Sequence, residues 1–130
     1  MSRGAPRLLR VGAALAMLGV LLGAFGAHAL KNSLPTDMVA VYQTGVQYHL
    51  IHALGIVLIA VLAITQPGWK RLLLAGWLMV IGVLLFSGSL YLLALSGVRL
   101  FGAITPLGGM CFIAAWGLLV FSPLGAPAER

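Results

Sequence analysis

The run Tyr42-Gln43-Thr44-Gly45-Val46-Gln47-Tyr48-His49-Leu50-Ile51-His52 gathers two of the chain's three histidines and two of its three tyrosines into eleven residues. On a helix, Tyr48, His52, Gly45, His49 and Tyr42 fall within about 120° of one another, while Gln43 and Gln47 make a separate pair four positions apart. Tyr48 and His52 at i, i+4, with His49 and His52 at i, i+3, can therefore address one partner. Neutral imidazole is a good ligand for zinc, copper or haem iron. Phenol, imidazole and amide groups can equally hydrogen-bond a lipid, a quinone or another helix. Further along stand His28, Ser87, Ser89, Tyr91 and Thr105, with Arg99 close by.

What must position these groups is apolar. Of 130 residues, 62% are hydrophobic and only 8% charged, with a mean hydropathy of +1.10. A soluble domain carries about 25% charged residues. So thin a charge cover leaves most of the surface facing lipid, and residues 1–130 read as one integral membrane domain with no soluble module. Four segments approach the ~20 apolar residues a span requires: about 8–29, 45–64, 72–95 and 103–121. Backbone groups in lipid must be satisfied within the element, so each is a helix. The short connections make neighbours antiparallel. The expected fold is an all-α membrane protein, four transmembrane helices in an up-down bundle.

The net charge of +6 would suggest nucleic acid in a soluble protein. Here the basic residues flank apolar segments, which excludes nucleic acid and points to topology control and anionic lipid headgroups. Arg3, Arg7, Arg10, Lys70, Arg71 and Arg130 fall on one side, Lys31 and Arg99 on the other, so both termini are expected in the cytoplasm. Trp69, beside Lys70, reads as an anchor at the same interface. Arg3, Arg7 and Arg10 before an apolar run ending Ala27-His28-Ala29 also resemble a secretory signal, but the run is longer than a usual signal core.

Gly12, Ala16, Gly19, Gly23 and Gly26 recur with steps of four, three, four and three, a small-residue stripe that lets another helix backbone approach closely. His28, at the outer end of this first helix, points away from the stripe. Thr36 reads as a helix cap with Asp37 in the first turn. A helix from there to Ile64 would be about 43 Å long at 1.5 Å per residue, too long to span upright. Residues 36–44 are therefore expected as a short interfacial helix, with a bend near Gly45. Cys111, the single cysteine, reads as a packed apolar residue.

His28, Tyr48, His49, His52, Ser87, Ser89, Tyr91 and Thr105 come from four helices but all map to the outer half, whereas the inner halves are almost free of side-chain polarity. A polar layer at one depth suits a pocket open to the outside and argues against a continuous aqueous pathway, which needs polar groups at every depth.

Gly23-Ala24-Phe25-Gly26-Ala27-His28, Tyr48 with His52, Phe86-Ser87-Gly88-Ser89-Leu90-Tyr91 and Thr105-Pro106-Leu107-Gly108-Gly109 together resemble the YgdD-like family of small four-helix bacterial inner-membrane proteins. The likeness covers nearly the whole chain. It implies the same four spans and an inner-membrane address, and it implies no activity or cofactor. It also implies that His28 and His52 hold the family's histidine positions while His49 is replaced in some members, which favours His28, Tyr48 and His52 as the set that matters.

Three readings of function follow. The first is a non-catalytic protein whose outer layer (His28, Tyr48, His52, Ser87, Ser89, Tyr91, Thr105, with Gln47, His49 and Arg99 beside it) binds a lipid, a quinone or a membrane-protein partner. The second is a metal or haem protein with His28 and His52 as ligands. The third is a small channel or transporter subunit. Enzymatic chemistry has the least support, because a serine with His52 would lack an acidic orienter within the spans. A homo-oligomer is expected, since four short helices bury few polar groups alone.

Overall fold

A computed structural model describes residues 3–66 and 70–123 of the chain. Trp69 and Arg130 lie outside the described residues. Helix α1 (Gly4–Phe25) runs into a π-helical turn, Gly26–Leu30. Helix α2 is Thr36–Thr65. Helix α3 (Lys70–Gly82) continues through a second π turn, Val83–Ser87, into α4 (Gly88–Ser96). A 3-10 turn, Arg99–Ala103, leads to α5, Thr105–Val120. These make four rods long and apolar enough to cross a membrane: Gly4–Leu30, Thr36–Thr65, Lys70–Ser96 and Arg99–Val120. No strand occurs among the described residues. The all-helical, four-span architecture is the one the hydropathy pattern implies.

The close contacts at glycines give the helix directions. Gly12 faces Ile56, Gly19 faces His49, Gly23 faces Val46 and Gly26 faces Tyr42, so the index falls along α2 as it rises along α1. Gly45 lies against Leu90 and Tyr91, and Gly55 against Met79, which sets α2 antiparallel to the α3–α4 rod. Gly82 meets Phe112 and Gly108 meets Phe86, so α5 runs back along that rod. The small-residue stripe of α1 is therefore occupied by α2 of the same chain. A methyl group at Gly12 would lie 2.8 Å from Ile56. Lipid offers apolar side chains no reason to leave it, so backbone approach and van der Waals contact must supply the association.

Two local expectations are corrected. Thr36 does not cap α2: Pro35 holds the capping position with an extended ψ of 149°, and no side-chain hydrogen bond closes the end. The fixed φ of proline suits an extended residue just outside a helix. The segment 36–44 is not a separate interfacial helix, because α2 continues through Gly45 unbroken. Gly45 serves close approach instead. The Tyr91 ring covers the place of its missing side chain, and the Ser87 hydroxyl donates to its carbonyl at 2.7 Å.

The apolar core is divided. A large cluster around Leu8, Ile56, Ile59, Leu72, Met79 and Phe112 fills the end near Lys70 and Arg71. A smaller one, Leu30, Tyr42 and Ala94, closes the end near Lys31. The polar residues lie between the two.

Candidate functional site

His49 bonds two other helices at once. Its ring is buried, with Nε2 2.7 Å from the Leu15 carbonyl of α1 and Nδ1 2.9 Å from the Tyr91 hydroxyl of α4. A carbonyl only accepts, so Nε2 carries the proton, and the hydroxyl of Tyr91 donates to the lone pair on Nδ1. One neutral imidazole thus joins three helices. The Tyr91 ring packs on Tyr42 at 5.2 Å, and the hydroxyl of Tyr42 donates back to the Leu22 carbonyl at 2.5 Å.

His52, one turn further along α2, is held the other way round. Its Nδ1 donates to the Tyr48 carbonyl at 2.8 Å, and its Nε2 accepts the indole N–H of Trp116 on α5 at 3.1 Å. Phe112 stacks on the imidazole, ring centroids 3.5 Å apart and planes 10° from parallel. The two histidines therefore carry opposite tautomers, each fixed by a backbone carbonyl.

The serines close the remaining gaps. Ser87 bonds the Gly45 carbonyl as described. Ser89 donates to the Phe86 carbonyl at 2.9 Å, so the Thr105 hydroxyl, 2.6 Å away, donates to Ser89 and ties α4 to α5. Among the described residues no buried side-chain nitrogen or oxygen lacks a hydrogen-bond partner. An orphaned buried polar group costs about 1–3 kcal/mol, more than a typical interhelical bond contributes in lipid. The layer is thus saturated by the chain itself. The π turn Val83–Ser87 sits at this level, and such turns re-aim the side chains that follow them.

The structure brings some of the sequence-selected residues together and leaves others apart. His49, His52, Ser87, Ser89, Tyr91 and Thr105 are drawn into the layer; His28 and Arg99 are exposed and stand outside it. In the α1–α2 register His52 lies level with about Ala16. His28 is twelve residues further out, about 18 Å along the axis. The two do not converge on one atom. Each buried imidazole also has its single lone pair occupied, by Tyr91 or by Trp116. Among the described residues no group of three or more His, Cys, Asp or Glu side chains gathers in one place. Trp116, Phe112 and the Leu15 carbonyl were not singled out. Trp116, an indole donor deep in a long apolar span, was the signal available.

Within residues 42–52 of α2, three polar side chains remain open. Gln43 and Gln47 are exposed and have no hydrogen-bond partner among the described residues; they flank a groove of about 180 Å³ against Gly23, Gly26 and Ala27 of α1. Tyr48 is 39% exposed, its ring on Phe86 at 4.5 Å, and its hydroxyl likewise has no partner there. Gln47 lies ten residues below Asp37, about 15 Å along the helix, deep within an apolar surface.

The chain matches the family described as "Protein of unknown function (DUF423)" over residues 22–109. It is similar to the UPF0382 membrane protein YwdK of Bacillus subtilis, 50% identical over 85% of this chain and 89% of that one. It is similar to the UPF0382 membrane protein SH2409 of Staphylococcus haemolyticus, at 44% over 86% and 90%. The UPF0382 inner membrane protein YgdD of Escherichia coli is 41% identical over 78% of this chain and 76% of its own length. No solved structure matches the chain.

Proposed function

The chain belongs to the DUF423 family of membrane proteins, and from that premise we propose that it is a non-catalytic protein of the bacterial inner membrane, both termini cytoplasmic, that holds a membrane-embedded partner. The partner is a lipid, a quinone or another membrane protein. One observation carries the reading: the buried polar layer is closed on itself, while Gln43, Gln47 and Tyr48 stand open on the outward side of α2. A polar group in lipid without a partner is unfavourable, so such groups mark contact sites. The binding face is accordingly the surface between α1 and α5 that α2 presents, and the His/Tyr/Ser layer is the frame behind it.

The positive-inside rule supports the orientation: on the described residues Arg3, Arg7, Arg10, Lys70 and Arg71 gather at one end, against Lys31 and Arg99 at the other. A metal or haem role draws no support from the site, because its imidazole lone pairs are engaged and His28 is remote. The test is purification in mild detergent followed by mass spectrometry of everything that comes with the protein. A lipid, quinone or protein should accompany it in fixed ratio and fall away in a Gln43→Leu/Gln47→Leu variant. Recovery of the chain alone, as a monomer with no bound molecule, would refute the proposal.

A further inference from the structure

The exposed side of α2 has a periodicity of its own. Ala40, Thr44, Gln47, Ile51, Leu54, Leu58 and Val61 are all exposed, with steps of four, three, four, three, four and three. Ile51 is 50% exposed, Leu54 68% and Leu58 58%. Alternating steps of three and four are the a/d pattern of a two-helix seam, in which apolar knobs enter a facing helix. The opposite face of α2, through Tyr42, Gly45, His49, His52, Ile56, Ile59 and Ala63, has the same rhythm and is buried within the chain. So α2 has two seams, one filled and one open.

We propose that the open seam pairs with α2 of a second copy of this chain, giving a parallel, two-fold symmetric homodimer with Gln47 at its axis. This rests on the reading of α2 as a partner-binding face and names the partner. The choice follows from symmetry and chemistry. Two copies inserted with the same orientation can be related by a two-fold axis only along the membrane normal, so residues near the axis meet their own counterparts at equal depth. A residue there must be complementary to itself. Glutamine is, since its amide both donates and accepts. A quinone, or the ester groups of a lipid, present acceptors only, and would leave the Gln47 carbonyl without a donor. Thr44, the other polar residue of the seam, spends its hydroxyl on the Ala40 carbonyl, so among the described residues Gln47 is the one unpaired polar group there, and such a group also fixes register and strand number.

The flanking positions agree. With Gln47 and Leu54 at d, and Thr44 and Ile51 at a, Gln43 takes position g and Tyr48 position e. In a parallel pair, g of one helix lies beside the e position five residues on in the other. That sets Gln43 of one copy opposite Tyr48 of the second, an acceptor facing a hydroxyl, and both are open in the single chain. The glycine-lined groove beside Gln43 leaves room for the approach.

The experiment uses the full chain in its own membranes, with Cys111→Ser so that an added cysteine is the only one. Oxidation of Gln47→Cys and Leu54→Cys variants should give disulfide-linked dimers, and the Ile113→Cys variant, equally exposed but on α5, should not. Native mass spectrometry of the unmodified chain should show a dimer, weakened roughly tenfold or more by Gln47→Leu, with circular dichroism confirming that the helices remain. Dimers in equal yield from position 113, or none from 47 and 54, overturn the seam. A monomer carrying a lipid or quinone, or one bound to a different protein, overturns the homodimer while leaving the partner-binding reading intact. A bare monomer overturns both.

Discussion

On the inward side of α2, Tyr42, His49 and His52 each bond a neighbouring group of the chain; on the outward side, Gln43, Gln47 and Tyr48 bond none. The two sets occupy the same stretch of one helix and differ in what faces them. Inward, the acceptors are carbonyls on α1 and α2 that only a correctly placed donor can reach, so the groups act as rivets between helices. Outward, the same kinds of group have no partner within the described residues. Polarity within a span therefore does not by itself distinguish a rivet between helices from an open group; its state of satisfaction does.

Breaking the inward side should have the largest effect. His49→Ala removes the bridge among three helices and leaves the Leu15 carbonyl and Tyr91 hydroxyl unpaired beside a cavity. The expected loss is about 3 kcal/mol, measured by unfolding in mixed detergent micelles. His49→Gln sharpens the point: its amide can donate to Leu15 and accept from Tyr91, so the loss should shrink to about 1 kcal/mol. Equal losses for the two variants would mean that His49 matters as bulk and not as a bridge.

Next in size is Gly45→Ala. The added methyl would lie 2.9 Å from the Tyr91 ring, which Tyr42 and His49 hold from either side, so it cannot easily yield. A loss of about 2 kcal/mol is expected. Gly88→Ala, on the next rod, meets nothing within 4 Å and should cost nothing measurable. A smaller effect comes from Trp116→Phe, which keeps an aromatic ring and deletes the donor to His52. The expected change is about 1 kcal/mol, with the His52 ring signal shifting in nitrogen NMR as its bonded lone pair is released.

How much of this was legible beforehand follows from which groups have a side-chain signature. The four spans were plain, because twenty apolar residues in a row admit few other readings. The stripe from Gly12 to Gly26 showed a close-packed face, and its period matched the neighbour it meets. The bridge made by His49 was not legible. The sequence places His49 as secondary to His52, and its link among three helices stays hidden because one of its partners is a backbone carbonyl that no residue type announces. That His28 and His52 sit at different depths was legible from the order of motifs, but the size of the offset was not, because it depends on the helix register set by contacts between Gly12, Gly19 and α2. The bend assigned to Gly45 misread a glycine needed for the approach of Tyr91.

Among the polar residues, the smallest effect on the single chain should come from the outward side, and that smallness is the informative part. Gln47→Leu replaces an exposed amide that has no partner in the chain, so unfolding of the isolated monomer should change by no more than about 0.5 kcal/mol, or improve. Its effect belongs to association, where the amide has something to bond. A variant silent in monomer stability and damaging to complex size separates the two faces of α2 cleanly. If Gln47→Leu instead destabilised the monomer as much as Trp116→Phe, Gln47 would have a partner within the chain, and the division between a closed inward face and an open outward one would not hold.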